Sequence, residues 1–131
     1  MPQSPLIVFV CEHGAAKSII AAAYFNKLVG ESGLELRAIA RGTDPDNELS
    51  AKAISGLHAD ELTPTESVPQ KLSLADVESA QRIIGFCELS EEYQQKGVIE
   101  QWENIPAVSE NYEKARDAIL EQLESLMKKL R

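Results

Sequence analysis

The first strong signal in the chain is an unbroken apolar run at residues 5–10, followed by small residues and then by a second apolar segment. The run is β-branched and aromatic without polar alternation, a pattern typical of a strand buried on both faces of a parallel sheet. Residues 11–18 form a small-residue loop, and residues 19–28 predict a helix that ends near Gly30 and Gly33. Strand, tight loop and helix in this order are the first unit of an α/β fold.

Strands and helices continue to alternate through the middle of the chain. The predicted elements are, in order, a strand at 35–40, a turn-rich loop at 41–47, a short helix at 50–59, an irregular stretch at 63–71, a helix capped by Ser73 and ending near Ala80, and strands at 82–86 and 98–102. Together with the first strand, these segments predict a sheet of four parallel strands.

An amphipathic helix is predicted for residues 109–131. Its apolar side chains share one stripe, at Tyr112, Ala115, Ile119, Leu123, Leu126, Met127 and Leu130. Glutamates in its first turns and basic residues in its last turn match the helix dipole. No linker, repeat or low-complexity segment interrupts the pattern, so we interpret residues 1–131 as one three-layer α/β domain.

The amino-acid composition and the net charge exclude some classes of binding partner. The chain has 131 residues, of which 44% are hydrophobic, with three Phe, three Tyr and one Trp, so the core must be mostly aliphatic. Thirteen basic and 21 acidic residues give a net charge of −8, and this field repels nucleic acid and anionic membranes. We therefore expect no nucleic-acid or membrane partner, and a phosphate group must be held by a local device.

The two cysteines, Cys11 and Cys87, are too few and too far apart for the disulfide framework of a small secreted protein. The apolar run at residues 5–10 is too short for a signal peptide and lacks a basic leader, so a cytoplasmic protein is expected. His13 and His58 have no cysteine or carboxylate cluster at metal-ligand spacing around them. We expect neither a metal nor a cofactor.

The loop after the first strand carries the candidate chemistry. Cys11 lies at the carboxyl end of a parallel strand, the edge where such sheets bind ligands. The helix that follows begins at Ser18 and directs its positive end into the loop, so an anion should bind there to backbone N–H groups. The predicted oxyanion-binding residues of the loop are Glu12, His13, Gly14, Ala15, Ala16, Lys17 and Ser18.

The same field and Lys17 favour a thiolate at Cys11, and the Ser18 hydroxyl can donate a hydrogen bond to its sulfur. The alternative for a lone cysteine is an inert buried thiol at a strand end. The spacing Cys-x5-Lys-Ser between a buried strand and a helix favours the reactive interpretation.

The string Ile-Val-Phe-Val-Cys-Glu-His-Gly-Ala-Ala-Lys-Ser at residues 7–18 resembles the phosphate-binding loop, Cys-x5-Arg-Ser, of the low-molecular-weight protein-tyrosine-phosphatase family, which includes the thioredoxin-linked arsenate reductases. Residues 40–43 are similar to the family's Ser-Ala-Gly-Thr, and the resemblance continues at residues 83–87 and 102–107. It implies a phosphotyrosine phosphatase I-like fold with strand order 2-1-3-4 flanked by helices. It also implies that Cys11 is the nucleophile toward a phosphorus or arsenic oxyanion.

The sequence departs from the family pattern within this loop. Lys17 stands where the family has arginine, and it keeps the charge but loses the fork that holds two oxygens at once. One charge-assisted hydrogen bond fewer costs about 1.5–3 kcal/mol. The family's loop asparagine is Gly14 and the serine of Ser-Ala-Gly-Thr is Ala40, so one side-chain network is missing as a whole. A glycine can hold a left-handed conformation without such support.

A second departure concerns proton transfer. The family's general acid is an aspartate directly before a proline, whereas Ile105 precedes Pro106 here. Glu103 and Asn104 are nearby, and Glu103 can serve only if the loop is shifted. We favour a solvated carboxylate for Glu103, which leaves no proton donor at that place.

Arg41 replaces a small residue of the family pattern at the end of the neighbouring strand. It is a candidate for the guanidinium that the loop lacks. The alternative, at least as well supported, is a surface arginine beside Asp44 and Asp46.

Cys87 follows a strand that should lie beside the first one, so a disulfide with Cys11 is geometrically reasonable. In the arsenate reductases that the chain resembles, a cysteine similar to Cys87 attacks the arsenylated nucleophile and a third cysteine completes the relay, but this chain has no third cysteine.

Four functions remain open at this point. The first is a phosphatase of weakened activity that acts on phosphotyrosine or a small aryl phosphate, with Cys11, Lys17 and Ser18 as catalytic residues. The second is an arsenate reductase that adds Cys87 and a thioredoxin-like or small-thiol reductant. The third is a module that binds phosphate without turnover, and the fourth is a redox sensor based on the two cysteines.

Overall fold

Four parallel strands form a single sheet with helices packed against it. The computed structural model describes residues 6–87, 99–102 and 105–130. The strands are β1 (Leu6–Cys11), β2 (Arg37–Gly42), β3 (Ala80–Gly85) and β4 (Ile99–Gln101), and the helices are α1 (Lys17–Ser32), α2 (Ala51–Ala59), α3 (Leu74–Ser79) and α4 (Tyr112–Leu130). The sheet order is β2-β1-β3-β4, which confirms the predicted fold class and topology.

Strand β1 is the centre of the sheet, and all six of its residues are buried. Ile7 and Phe9 pack into the larger apolar cluster with helices α1 and α4, whereas Val8 and Val10 pack into a smaller cluster on the opposite face. An apolar run without alternation therefore did predict a strand covered on both faces.

Helix α1 begins at Lys17, two residues before the predicted apolar segment at 19–28, and ends at Ser32, next to the predicted end near Gly33. Gly33 closes it in a left-handed conformation with φ of 71°, and its N–H donates to the carbonyl of Val29. Because the helix starts at Lys17, the first free N–H groups of α1 lie beside the loop that follows Cys11.

Strand β2 lies two residues later than the sequence predicts. The pattern indicated residues 35–40, but β2 pairs with β1 in the register Leu6 with Arg37 through Cys11 with Gly42. Arg41 and Gly42 therefore belong to the strand rather than to the loop after it. The pairing brings Gly42 level with Cys11 at the edge of the sheet.

Helix α4 is fixed to α1 and α2 by a partly buried polar cluster around Asp60. The Asp60 carboxylate accepts hydrogen bonds from the hydroxyls of Tyr24 and Tyr112 and from the guanidinium of Arg116. Burial acts to raise the pKa of the Asp60 carboxyl, but these three donors outweigh it and lower that pKa. Burial and the hydrogen bond to Asp60 raise the pKa of Tyr24 to about 12. The cluster therefore favours a charged Asp60 and neutral tyrosines.

Among the described residues, no helix has the length and apolar character needed to cross a membrane.

Candidate active site

A cavity of about 350 Å³ opens at the carboxyl ends of β1 and β3. Its lining comes from the β1–α1 loop, the segment before α2, the end of β3 and the segment before α4: Cys11, Glu12, His13, Ala15, Ala16, Lys17, Asp46, Ser50, Phe86, Cys87, Ala107, Val108 and Ser109. Most of the predicted oxyanion loop thus lines one concave site, at the sheet edge that the topology predicts.

The thiol of Cys11 lies at the floor of this cavity. Cys11 is only 8% exposed, and its Sγ is 3.0 Å from the Oγ of the fully buried Ser18 in the first turn of α1. When the sulfur is ionised, the hydroxyl must be the donor, and a hydrogen bond to the charged form stabilises the thiolate. The predicted contact between Ser18 and Cys11 is therefore present.

The carbonyl groups of the β1–α1 loop accept hydrogen bonds from the segment between β2 and α2. The carbonyls of Cys11, Glu12, His13 and Ala15 accept hydrogen bonds of 2.8–3.2 Å from the amides of Thr43, Asp44, Asp46 and Ser50 respectively. Within the described part of the chain, no backbone carbonyl accepts from the amides of residues 12–18. These N–H groups are available to a ligand, which is the arrangement that binds an oxyanion.

Gly14 has the positive φ that the sequence predicted, 62°. It also packs directly on β2, since a Cβ at Gly14 would lie 2.9 Å from the Gly42 nitrogen and a Cβ at Gly42 would lie 2.7 Å from the Gly14 nitrogen. Two glycines in backbone contact thus hold the loop in its turn.

Lys17 and the start of α1 give the cavity its positive potential. The helix has no side-chain cap at Ala16 and no acidic residue in its first turn. Among the described residues, no carboxylate forms a salt bridge with Lys17. An anionic ligand is therefore the natural partner for both the ammonium group and the helix N-terminus.

Three ionisable side chains line the mouth of the cavity rather than its floor. The side chains of Glu12, His13 and Asp46 are 65%, 55% and 54% exposed. The Nδ1 atom of His13 lies 3.1 Å from the Asp46 carboxylate, and its Nε2 atom lies 3.8 Å from that of Glu12.

Cys87 lines the same cavity as Cys11, and both are free thiols. It follows β3, whose residue Gly85 pairs with Val10 of β1. Burial raises the pKa of the Cys87 thiol, a hydrogen bond from Thr43 acts in the opposite direction, and the charges of Cys11 and Glu12 raise it further. Its raised pKa makes the Cys87 thiol less nucleophilic than an ordinary cysteine.

The structure places Arg41 differently from both sequence interpretations. Its Nε donates to Asp76 at 3.0 Å, and its Nη1 donates to Glu66 at 3.2 Å and to the carbonyl of Ala40. Asp76 also caps α3 by accepting from the backbone N–H of Ser73. Arg41 does not line the cavity, so we leave it out of the proposed oxyanion site. Its place in the strand sends its side chain toward α3, and Asp44 and Asp46 are not its ion-pair partners.

The other candidate residues lie outside the described part of the chain or away from the cavity. Glu103 and Asn104 lie outside the described residues. His58 lies exposed on α2, away from the cavity, and within the described segments no group of three or more His, Cys, Asp or Glu is arranged to hold a metal ion. Trp102 is buried beside Phe9 and contributes to the packing of the core.

Sequence reasoning did not assign Asp46 and Ser50 to the site. Both follow β2, whose carboxyl end meets that of β1, so their position after a predicted strand was the available signal.

A model of the family described as low molecular weight phosphotyrosine protein phosphatase matches residues 6–105 of the chain. No curated protein sequence matches significantly.

Solved structures with different reported activities share the fold. YfkJ from Bacillus subtilis is 17% identical with a TM-score of 0.81, and covers 98% of this chain and 96% of its own. The YwlE arginine phosphatase, also known from B. subtilis, is 18% identical with a TM-score of 0.79 and 95% coverage of both chains. A thioredoxin-dependent arsenate reductase from Corynebacterium glutamicum is 21% identical with a TM-score of 0.69, and the match covers 97% of this chain and 64% of that one. At these identities the likeness shows the fold alone.

Proposed function

The chain belongs to the low molecular weight phosphotyrosine protein phosphatase family, and we propose that it hydrolyses phosphotyrosine or a small aryl phosphate through a Cys11 thiolate. The observation that carries the proposal is the Cys11 thiol at the cavity floor, 3.0 Å from the Ser18 hydroxyl and surrounded by loop amides without backbone acceptors among the described residues. A thiolate nucleophile beneath an oxyanion cradle is the machinery of phosphoryl transfer through cysteine. The test is Cys11-dependent hydrolysis of 4-nitrophenyl phosphate.

The proposed reaction has two steps at one sulfur. The Cys11 thiolate attacks phosphorus, the S–P bond forms, and the bond from phosphorus to the ester oxygen breaks. Water then attacks the phosphocysteine, releases phosphate and restores the thiol. The loop N–H groups and the α1 N-terminus hold the equatorial oxygens in both steps, and the Ser18 hydroxyl stabilises the sulfur as the thiolate that attacks and later leaves.

Replacing Lys17 by arginine is expected to raise kcat/KM for 4-nitrophenyl phosphate by roughly ten- to a hundredfold. The guanidinium adds one charge-assisted hydrogen bond to an equatorial oxygen, a gain of about 1.5–3 kcal/mol. Lys27→Arg, an exposed site on the same helix, is the matched control and should change nothing. If Lys17→Arg brings no gain, the loop is shaped for lysine and the fork does not limit the rate.

Arsenate reduction is a second candidate because Cys87 lines the cavity that holds Cys11. In that reaction the Cys11 thiol forms a bond to arsenic and water leaves the arsenate. Cys87 then attacks the Cys11 sulfur, the S–As bond breaks with its electron pair on arsenic, and the two thiols are oxidised to a disulfide as arsenate is reduced to arsenite. The chain has no third cysteine, so a thioredoxin-like protein or a small thiol must reduce the disulfide directly. The protein is expected to work in the cytoplasm, where such reductants are present.

Mild peroxide is expected to join Cys11 and Cys87 in a disulfide. One thiol is oxidised first to the sulfenic acid, and the second thiol in the same cavity then condenses with it and releases water. Mass spectrometry under non-reducing conditions should show the loss of two hydrogens, and Cys87→Ser should remove the signal. Sulfinic acid on Cys11 without a disulfide makes Cys87 a packing residue, and both the reductase and the sensor then fail.

If arsenate is a substrate, one equivalent of arsenite should appear without added thiol. Cys87→Ser should then block release and leave arsenate bound to Cys11. Phosphate binding without any turnover, by contrast, identifies a silent phosphate-binding module.

A further inference from the structure

At the mouth of the cavity, His13 and Asp46 make two contacts, one between their side chains and one between their backbones. The side chains meet at 3.1 Å between Nδ1 of His13 and Oδ1 of Asp46, and the amide of Asp46 donates to the carbonyl of His13 at 3.0 Å. The backbone hydrogen bond holds His13 and Asp46 next to each other where the β2–α2 segment packs on the β1–α1 loop, and their side chains meet there.

The position of this pair matches the place where a leaving group departs. Displacement at phosphorus is in line, so the leaving oxygen lies on the side opposite the attacking sulfur. Cys11 is at the buried floor, whereas the side chains of His13 and Asp46 are more than half exposed at the mouth of the same cavity. The imidazole thus lies on the solvent side of the cavity, the side toward which the leaving oxygen of an in-line displacement points.

The pair also has the chemistry of a proton donor. A carboxylate that binds Nδ1 fixes the orientation of the ring, leaves Nε2 as the nitrogen that transfers the proton, and stabilises the imidazolium. The charged and titratable groups that face the ring are Glu12, 3.8 Å from Nε2, and Asp46, and the same cavity contains Lys17 and the two thiols.

We propose that His13, positioned by Asp46, is the general acid of this site, in place of the aspartate that the sequence lacks before Pro106. The proposal rests on the phosphatase function. In the first step the Nε2 proton moves to the ester oxygen as its bond to phosphorus breaks, so the alcohol leaves neutral. In the second step the neutral imidazole takes a proton from the attacking water and returns to the imidazolium.

A comparison of leaving groups tests this role. 4-Nitrophenolate leaves readily without a proton, whereas phenolate needs one, so loss of the acid should affect only the second substrate strongly. We expect His13→Gln to lower kcat/KM for phenyl phosphate by roughly 10²–10⁴-fold, and for 4-nitrophenyl phosphate by less than about tenfold. Asp46→Asn should give a smaller change of the same kind, because the ring remains but loses its orientation.

The matched control is His58→Gln, since His58 is exposed on α2 outside the cavity and should leave both rates unchanged. The phosphate affinity of His13→Gln should fall only slightly, because the loop amides, the N-terminus of α1 and Lys17 are intact. Equal losses for both substrates together with weakened phosphate binding would mean that His13 shapes the loop, and the proposal would be wrong.

Two further results overturn the proposal for different reasons. If Cys11-dependent hydrolysis is present but His13→Gln leaves the ratio of the two rates unchanged, His13 is not the acid and the phosphatase function stands; Glu103→Gln and Glu12→Gln then identify the donor. If the wild-type protein hydrolyses neither substrate, the phosphatase function itself fails, and the role of His13 fails with it.

Discussion

Cys11→Ser is expected to abolish hydrolysis of 4-nitrophenyl phosphate, a loss on the order of 10⁶-fold, as for the removal of a covalent nucleophile. A serine hydroxyl is not ionised near neutral pH, and the Ser18 hydroxyl that lies 3.0 Å from Sγ cannot make it so. Phosphate binding should survive, because the cradle consists of backbone N–H groups of residues 12–18, the N-terminus of α1 and Lys17. We therefore expect Cys11→Ser to lose hydrolysis but to keep its affinity for phosphate.

Steady-state kinetics and a phosphate titration followed by the amide resonances of residues 14–18 measure these two quantities. Cys87→Ser is the companion variant, since a phosphatase needs one cysteine and an arsenate reductase needs both. Retained hydrolysis in Cys11→Ser would locate the nucleophile elsewhere. Amide resonances that do not move with millimolar phosphate in either protein would contradict the oxyanion site.

The helices and strands could be predicted from the sequence because each is indicated by residues that are close together in the chain. The apolar run at residues 5–10 has no alternation, and it became the buried central strand. Ser73 caps the helix that follows it, as predicted, and Ser50, predicted as the first residue of its helix, is instead the cap of α2. The stripe on the last helix is buried at Ala115, Ile119, Leu123, Leu126 and Met127. Each of these features depends on residues within a few positions of one another.

Contacts between residues far apart in the chain could not be predicted from the sequence. Arg41 has no nearby sequence feature that indicates Glu66 and Asp76 as its partners, because these arise only when α3 and the segment before it dock on β2. The predicted bounds of β2 were two residues too early for a similar reason, since the strand is defined by its pairing with β1. The contact between His13 and Asp46 likewise needs two loops to meet at the sheet edge.

The glycine of α2 illustrates the same limit, because its role depends on a side chain 56 residues later. A Cβ at Gly56 would lie 2.3 Å from Cε2 and Cζ of Tyr112. The ring cannot withdraw freely, since its hydroxyl donates to Asp60 at 3.0 Å and Arg116 lies 5.8 Å from its centre. Gly56 thus allows α4 to approach α2 closely enough to complete the Asp60 cluster.

Gly56→Ala is therefore expected to destabilise the protein by about 2–4 kcal/mol. Overpacking costs about 1–3 kcal/mol and a lost hydrogen bond to Asp60 about 1.5–3 kcal/mol, against a gain of about 1 kcal/mol in helix propensity. Gly30→Ala on α1 is the matched control, because an added Cβ has no atom within 4 Å, and it should stabilise by about 0.5–1 kcal/mol.

Urea unfolding measures both free energies, and unchanged m-values show that the comparison is sound. In a Tyr112→Ala background the steric conflict is gone, so Gly56→Ala should become stabilising by roughly the same amount as Gly30→Ala. A stabilising Gly56→Ala in the wild-type background would mean that the Tyr112 ring moves aside without loss. The contact of α2 with α4 would then contribute little to the stability of the fold.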